Sequence, residues 1–265
     1  MEIDQFALTR RRFLAVGGMA AAGVMVGCKL DVSAPADYGT VDDATLVKRP
    51  AAPTLTASPG VTPLGLSASR DSYLYVPASY NPSNPAPLLV MLHGAGALAQ
   101  QWMTPTFTSL ADETGVVLVA PTSSGFTWDL IANKKYGGDA RIVDEAMGEA
   151  FKRINVDPAR IALGGFSDGA SYALSLGLVN GDLFNKLIAF APGVLIVPWR
   201  RGTPGVYIAH GVRDDVINVS KSRDLIVPTI VQRGYTVSYF EFEGGHEVPI
   251  DKARQALNWL ATGAL

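Results

Sequence analysis

The sequence predicts an α/β fold, a single domain with a mostly parallel central sheet flanked by helices and no lid domain. Three observations predict it. From residue 69 onward, short apolar runs alternate with stretches of helical spacing, the pattern of a parallel sheet with both faces covered. A length of 265 residues with 48% hydrophobic content suffices for one full core of this kind. The pentapeptide Gly165-Phe166-Ser167-Asp168-Gly169 stands where one apolar run gives way to a helical stretch, so it reads as a sharp strand-to-helix turn.

In chain order, residues 1–28 form a separate object. Thr9-Arg10-Arg11-Arg12-Phe13-Leu14 leads into an Ala- and Gly-rich, weakly apolar stretch that stops at Cys28, which reads as a twin-arginine export signal. Met25-Val26-Gly27-Cys28 resembles a lipoprotein processing site, with lipidation expected on Cys28 and a membrane tether through it. An uncleaved membrane anchor is the alternative, but the apolar run falls short of the ~20 residues a spanning helix needs. The expected location is therefore periplasmic, cell-envelope or secreted. Residues 29–67, punctuated by Pro50, Pro53, Pro59 and Pro63, read as a Pro/Ala-rich linker, with an edge strand near Leu64-Gly65-Leu66 as the alternative. Residues 68–265 are the expected catalytic domain.

Within that domain the runs 72–76, 88–92, 116–120, 161–164, 187–190, 206–209 and 237–242 predict strands. Helical spacing covers 97–114, 140–154, 168–179, 220–233 and 250–261. In such folds ligands bind beyond the carboxyl ends of the strands. Three chemistry-bearing residues fall just after such ends: Ser167, Asp214 and His246, in the order nucleophile, acid, base.

A serine hydroxyl needs a base, and imidazole, with an unperturbed pKa of about 6.5, suits that role near neutrality. The chain has three histidines, each in a motif. His246, after Gly244-Gly245, is the expected base. His93 and His210 each open a Gly-containing loop and are expected to orient it, His93 also bordering the substrate. The base needs a carboxylate to fix its tautomer. Asp214 and Asp215 compete, and Asp214 is favoured by its His-Gly-x-x-Asp spacing from His210, while Asp215 suits a helix cap or solvent. A tetrahedral oxyanion requires two N–H donors. The backbone of Asp168 is one, and the loop His93-Gly94-Ala95-Gly96 supplies the other, with Ala95 the expected donor. Gly94 and Gly96 let that backbone bend toward substrate. Trp102 and Trp128 are expected in the acyl pocket, with Phe126 and Tyr136 as further aromatics of the same rim.

Composition narrows the function classes. A net charge of −2 with 17% charged residues and no basic face speaks against nucleic acid. A single cysteine permits no intrachain disulfide, and no paired Cys or His spacing suggests a metal, so neither metal nor cofactor is expected.

With elbow, oxyanion loop, acid and base in view, the chain resembles the α/β-hydrolase superfamily. The likeness is closer to the predicted esterases of the phospholipase/carboxylesterase and polyhydroxybutyrate depolymerase-like groups. It spans roughly residues 70–260 and is carried by Val156-Asp157-Pro158-Ala159-Arg160-Ile161 running into the elbow, and by Gly244-Gly245-His246-Glu247-Val248-Pro249. Asn218 stands where relatives often have proline. The resemblance implies a triad of Ser167, Asp214 and His246, and excludes dienelactone-type hydrolases, which use a cysteine at the elbow. It implies a carboxylic ester hydrolase acting through an acyl enzyme on short- to medium-chain esters. A polyester-oligomer depolymerase or an acetyl/feruloyl polysaccharide esterase is the alternative, and a non-catalytic binding lipoprotein the remote one. Thioesters stay open as substrates, and nothing in the sequence sets an oligomeric state.

Overall fold

The structure, a computed structural model, describes residues 6–8 and 40–265. Apart from Phe6–Leu8, the stretch read as an export signal lies outside the described residues, Cys28 included. Among the described residues no helix is long and apolar enough to cross a membrane.

Nine strands form one sheet: β1 (Phe6–Leu8), β2 (Gly60–Pro63), β3 (Tyr73–Val76), β4 (Ala86–Leu92), β5 (Val117–Ala120), β6 (Val156–Phe166), β7 (Lys186–Phe190), β8 (Gly205–Gly211) and β9 (Val237–Phe242). Their spatial order is β1-β9-β8-β7-β6-β4-β5-β3-β2. The six central strands, β5-β4-β6-β7-β8-β9, pair in parallel, and antiparallel partners close both edges. All seven strands that the apolar runs predict are present.

The runs are continuous rather than alternating because both faces of the sheet are buried. Leu88, Val90 and Leu92 of β4 face one core while Leu89 and Met91 face the other. The first core lies under α4 (Gly138–Phe151), α5 (Asp168–Val179) and α6 (Val227–Gln232). The second lies under α2 (Pro105–Thr114) and α7 (Ile250–Thr262), which Arg254 and Glu113 join by an ion pair of 2.7 Å. The predicted helix over 220–233 divides into a π-helical segment, Lys221–Ile226, and α6. A short helix, α3 (Asp129–Asn133), was not predicted.

The linker reading does not hold from Thr40 onward. Thr40 caps α1 (Val41–Ala44) in a reciprocal capping box with Asp43. Ala44 and Leu46 are fully buried. Asn180 receives the Leu46 N–H at 2.9 Å and donates to the Ala44 carbonyl at 2.8 Å, while Asp144 accepts from the N–H groups of Val47 and Lys48. Two side chains more than ninety residues away thus hold a segment whose own spacing carries no periodic signal. The edge strand is Gly60–Pro63 and pairs with β3, just before the Leu64-Gly65-Leu66 position considered from sequence.

Strand order also positions the chemistry. The chain leaves β4 toward β5 on one side and leaves the adjacent β6 toward β7 on the other, and the crevice at such a switch point is where open α/β sheets bind ligands. Leu92 pairs with Gly165, which puts the loop after β4 beside the turn after β6.

Candidate active site

Ser167 occupies a backbone conformation that side-chain-bearing residues rarely adopt, φ 58° and ψ −121°. Such strain costs on the order of 1–3 kcal/mol and persists only where the surroundings enforce it. Here the Ser167 N–H is tied to the Phe190 carbonyl at 2.9 Å, and its carbonyl starts α5 by accepting from Ser171 N–H at 3.0 Å. The flanking glycines are sterically required. A Cβ on Gly165 would lie 2.4 Å from the Gly169 backbone, and one on Gly169 would lie 2.3 Å from the Leu92 carbonyl oxygen. Strand, turn, helix and the neighbouring strand end therefore meet at backbone contact, and Ser167 is left at the rim with 8% of its surface exposed.

Ser167, His246 and Asp214 are brought together in one row. His246 Nε2 lies 2.9 Å from Ser167 Oγ, and its Nδ1 lies 2.7 Å from Asp214 Oδ2. The ring packs against Phe166, centroids 4.7 Å apart. Its loop reaches this position because Gly211 lets the chain pass: a Cβ there would lie 2.3 Å from the Gly245 carbonyl oxygen. Arg213 N–H then donates to Gly244 O at 2.9 Å, joining the acid loop to the base loop. Asp214 is held on both oxygens, with Oδ1 accepting from the N–H groups of Val216 at 2.9 Å and Ile217 at 2.8 Å. Burial by itself would raise its carboxyl, but the bonds from His246, Ile217 and Val216 outweigh that and hold it below the usual carboxylate value. Asp215 faces solvent, whereas Asp214 is the carboxylate in contact with His246.

The loop after β4 lies against Ser167. A Cβ on Gly94 would be 3.4 Å from Ser167 Cβ. Ala95 is exposed beside it, and Gly96, at φ 72°, turns the chain so that its N–H donates to the Phe126 carbonyl at 2.7 Å. Asp168 is the first residue of α5, where an N–H has no partner within the helix. Its carboxylate points aside to Thr127 Oγ1 at 2.7 Å.

Three expected substrate contacts need correction. His93, Trp102 and Trp128 are fully buried. His93 donates from Nδ1 to Gly94 O at 2.7 Å and accepts the Ser123 N–H on Nε2 at 3.0 Å, so it braces the loop. Burial lowers its pKa and keeps it neutral. Trp128 donates to the His93 carbonyl at 2.9 Å and stacks on Tyr172 behind the loop. Trp102 packs edge-to-face on Phe107 in the core beneath α2. Tyr136 is buried too. Large aromatics near loop ends were drawn inward by the apolar area they bury. The aromatic left at the rim is Phe126, 75% exposed, its ring over Gly96.

Asp214 has a second histidine neighbour, which the sequence left unassigned to it. His210 Nε2 lies 3.1 Å from Asp214 Oδ2, on the oxygen that also serves His246. The four-residue spacing from His210 to Asp214 was the available signal. Among the described residues no group of His, Cys, Asp and Glu side chains is arranged to hold a metal ion.

Comparison with known proteins agrees with this architecture. No family model matches the chain. It is 31% identical over 158 residues to the bifunctional acetylxylan esterase/xylanase XynS20E of Neocallimastix patriciarum, covering 57% of this chain and 22% of that protein. It is 32% identical over 119 residues to feruloyl esterase B of Thermothelomyces thermophilus, covering 42% and 40%. The matches thus span less than half the length of these curated relatives. Among solved structures, S-formylglutathione hydrolase (FrmB) from Staphylococcus aureus superposes with a TM-score of 0.60 at 13% identity, covering 78% of this chain and all of that one. Acetyl xylan esterase from Aspergillus awamori gives a TM-score of 0.58 at 16% identity, covering 76% and 98%. The chain has the α/β-hydrolase fold, and the curated relatives it is similar to include an acetylxylan esterase/xylanase and a feruloyl esterase.

Proposed function

We propose that the protein is a serine esterase that cleaves carboxylic esters through an acyl enzyme at Ser167. The observation that carries this reading is the unbroken row Ser167 Oγ, His246, Asp214 on a turn strained to present the hydroxyl. Ser167 Oγ attacks the ester carbonyl carbon while its proton passes to His246 Nε2, and Asp214 stabilises the imidazolium. The oxyanion accepts from the N–H groups of Asp168 and Ala95, next to Gly94 against the nucleophile. Collapse breaks the bond to the leaving alkoxide, which takes the proton from His246. Water, deprotonated by His246, then attacks the acyl carbon and releases the acid with Ser167 restored.

The substrate in this reading is a short- to medium-chain ester, with Gly94 and the exposed Ala95 beside Ser167 leaving the approach to its hydroxyl open. A second reading, acetyl or feruloyl groups on polysaccharide, is favoured by the relatives' activities and by Phe126, an exposed ring placed beside the oxyanion loop. Residues 1–28 are proposed to direct export by the twin-arginine route, with Cys28 as a lipid tether. Hydrolysis of a p-nitrophenyl series from acetate to palmitate, with Ser167→Ala as the blank, tests the function. Turnover confined to short chains and absent from Ser167→Ala is expected. Equal rates in both proteins would refute it. Acetylated xylan and feruloylated arabinose assayed beside that series separate the two substrate readings.

A further inference from the structure

The acid of the row has a second histidine. His210 is fully buried at the end of β8, and each polar atom of its ring is engaged. Nε2 lies 2.8 Å from the Ile217 carbonyl and 3.1 Å from Asp214 Oδ2. Both are acceptors, so Nε2 carries the proton and shares it between them. Nδ1 must then accept, and it does so from Ser222 Oγ at 2.7 Å. Burial lowers the pKa of the ring and so favours its neutral form, and the two acceptors at Nε2 set the tautomer.

Ser222 reaches the ring from the π-helical segment Lys221–Ile226, where Val227 N–H closes a five-residue step back to the Ser222 carbonyl. Single wide turns of this kind are uncommon and recur at functional sites. The next residue of the same turn, Arg223, grips Glu241 on β9 through two bonds of 2.6 Å. Glu241 is the sheet partner of His210. One irregular turn therefore clamps two adjacent strand ends, one through the ring and one through the carboxylate beside it.

We propose that His210 is a positioning residue of the site, locked by Ser222, whose N–H occupies part of Asp214 Oδ2 and so sets how strongly that carboxylate draws the proton of His246. The inference rests on the esterase reading of the row. Asp214 Oδ1 accepts from the Val216 and Ile217 N–H groups, bonds in which the His210 ring takes no part, so the carboxylate retains these anchors while the charge on Oδ2 changes. Removing the His210 donor concentrates negative charge on Oδ2 and favours imidazolium. The acid limb of the kcat/KM profile then moves to higher pH. The charged and titratable groups facing His210 are Asp214 and His246 in the row and Glu241 on β9, with Arg223 and Tyr239 on the Glu241 carboxylate. Arg223 holds the Glu241 carboxyl below its usual range, so Glu241 stays charged where the enzyme is assayed and does not generate the shift.

The test compares His210→Leu, His210→Gln and Ser222→Ala with the unaltered full chain, using kcat/KM against pH for p-nitrophenyl acetate and the low-field proton resonance between His246 and Asp214. His210→Gln can return an N–H to the Nε2 position. His210→Leu is expected to raise the acid limb by about half a pH unit, to lower kcat by up to about threefold with little change in KM, because a more basic imidazole is a weaker acid toward the departing Ser167 oxygen, and to move the resonance downfield. His210→Gln is expected to restore most of all three. Ser222→Ala, the milder change should His210→Leu fail to fold, is expected to shift the limb and resonance in the same direction by less. An unmoved limb and resonance in folded His210→Leu, or in Ser222→Ala if that variant alone folds, overturns the proposal. So does equal impairment by Leu and Gln. The resonance reads the row without turnover, so inactivity of the unaltered protein would strike the esterase reading and leave this inference separately decided.

Discussion

The ends of β4 and β8 carry the same dipeptide, His93-Gly94 and His210-Gly211, and both histidines are fully buried. Their use differs. His93 is protonated on Nδ1 and spends both nitrogens on backbone, fixing the path of the loop that holds Ala95. His210 is protonated on Nε2 and spends that proton partly on a functional side chain, Asp214. The glycines that follow also differ in what they permit: Gly94 admits Ser167, whereas Gly211 admits the Gly244-Gly245 backbone ahead of His246. A buried His-Gly at a strand end thus marks a loop held in shape, and the ring's partners decide whether backbone or carboxylate is being held.

Substitutions can break this contrast, the largest effects first. Asp214→Asn leaves His246 without its orienting charge and is expected to lower kcat by about 10³–10⁴-fold, while exposed Asp215→Asn stays within about twofold. The reverse order in steady-state assays would move the acid to Asp215. Gly169→Ala and Gly211→Ala each drive a Cβ to 2.3 Å from a carbonyl oxygen, at the β4 and β8 ends respectively. Each is expected to lose more than about nine-tenths of activity and to lower the thermal midpoint, at overpacking costs of about 1–3 kcal/mol. A Gly169→Ala protein of normal activity and melting would contradict the backbone contact at the elbow.

Smaller changes sharpen the contrast. His93→Leu leaves the Ser123 N–H without its partner and is expected to cost about 1–3 kcal/mol of stability. Because it holds backbone only, its kcat/KM profile should keep the acid limb of the unaltered protein. A shifted limb would place His93 in electrical contact with the base. Asp214 has a depressed carboxyl pKa, so the stability it contributes is complete above the ordinary carboxylate value and is lost as pH falls through its lower folded value. Thermal midpoints of the unaltered protein and Asp214→Asn, followed from pH 6 to pH 2, should therefore differ by a constant amount until the acid end and converge only there. Phe126→Ala is expected to raise KM for aryl-acyl esters by about fivefold and to leave acetyl esters unchanged. Equal effects on both would remove Phe126 from substrate recognition.

Much of this was legible in the chain. Strands buried on both faces write themselves as continuous apolar runs, so all seven predicted runs are strands, and loops following those runs bring Ser167, Asp214 and His246 to one rim. The distant partnerships were not legible. Residues 44–48, just ahead of the Pro-rich stretch, are fixed by Asn180 and Asp144, and no local spacing encodes a hydrogen bond across more than ninety positions. Strand β2 takes its register from β3, and Pro63, at its end on a sheet edge, lacks an N–H to signal pairing. Trp102 and Trp128 were misplaced because a loop address does not reveal which way a large ring turns. The π-turn at Lys221–Ile226 was hidden because its spacing looks helical.

The most direct measurement is to mix the protein with p-nitrophenyl acetate, quench within the first turnovers, and locate the added mass by peptide mapping. A single acetyl group on Ser167, absent from Ser167→Ala, with a burst of nitrophenol matching the enzyme concentration, is the predicted result. Product formed with Ser167 unmodified, or an acetyl group carried elsewhere by both proteins, would contradict the assignment of the rim between β4 and β8 as a serine esterase site.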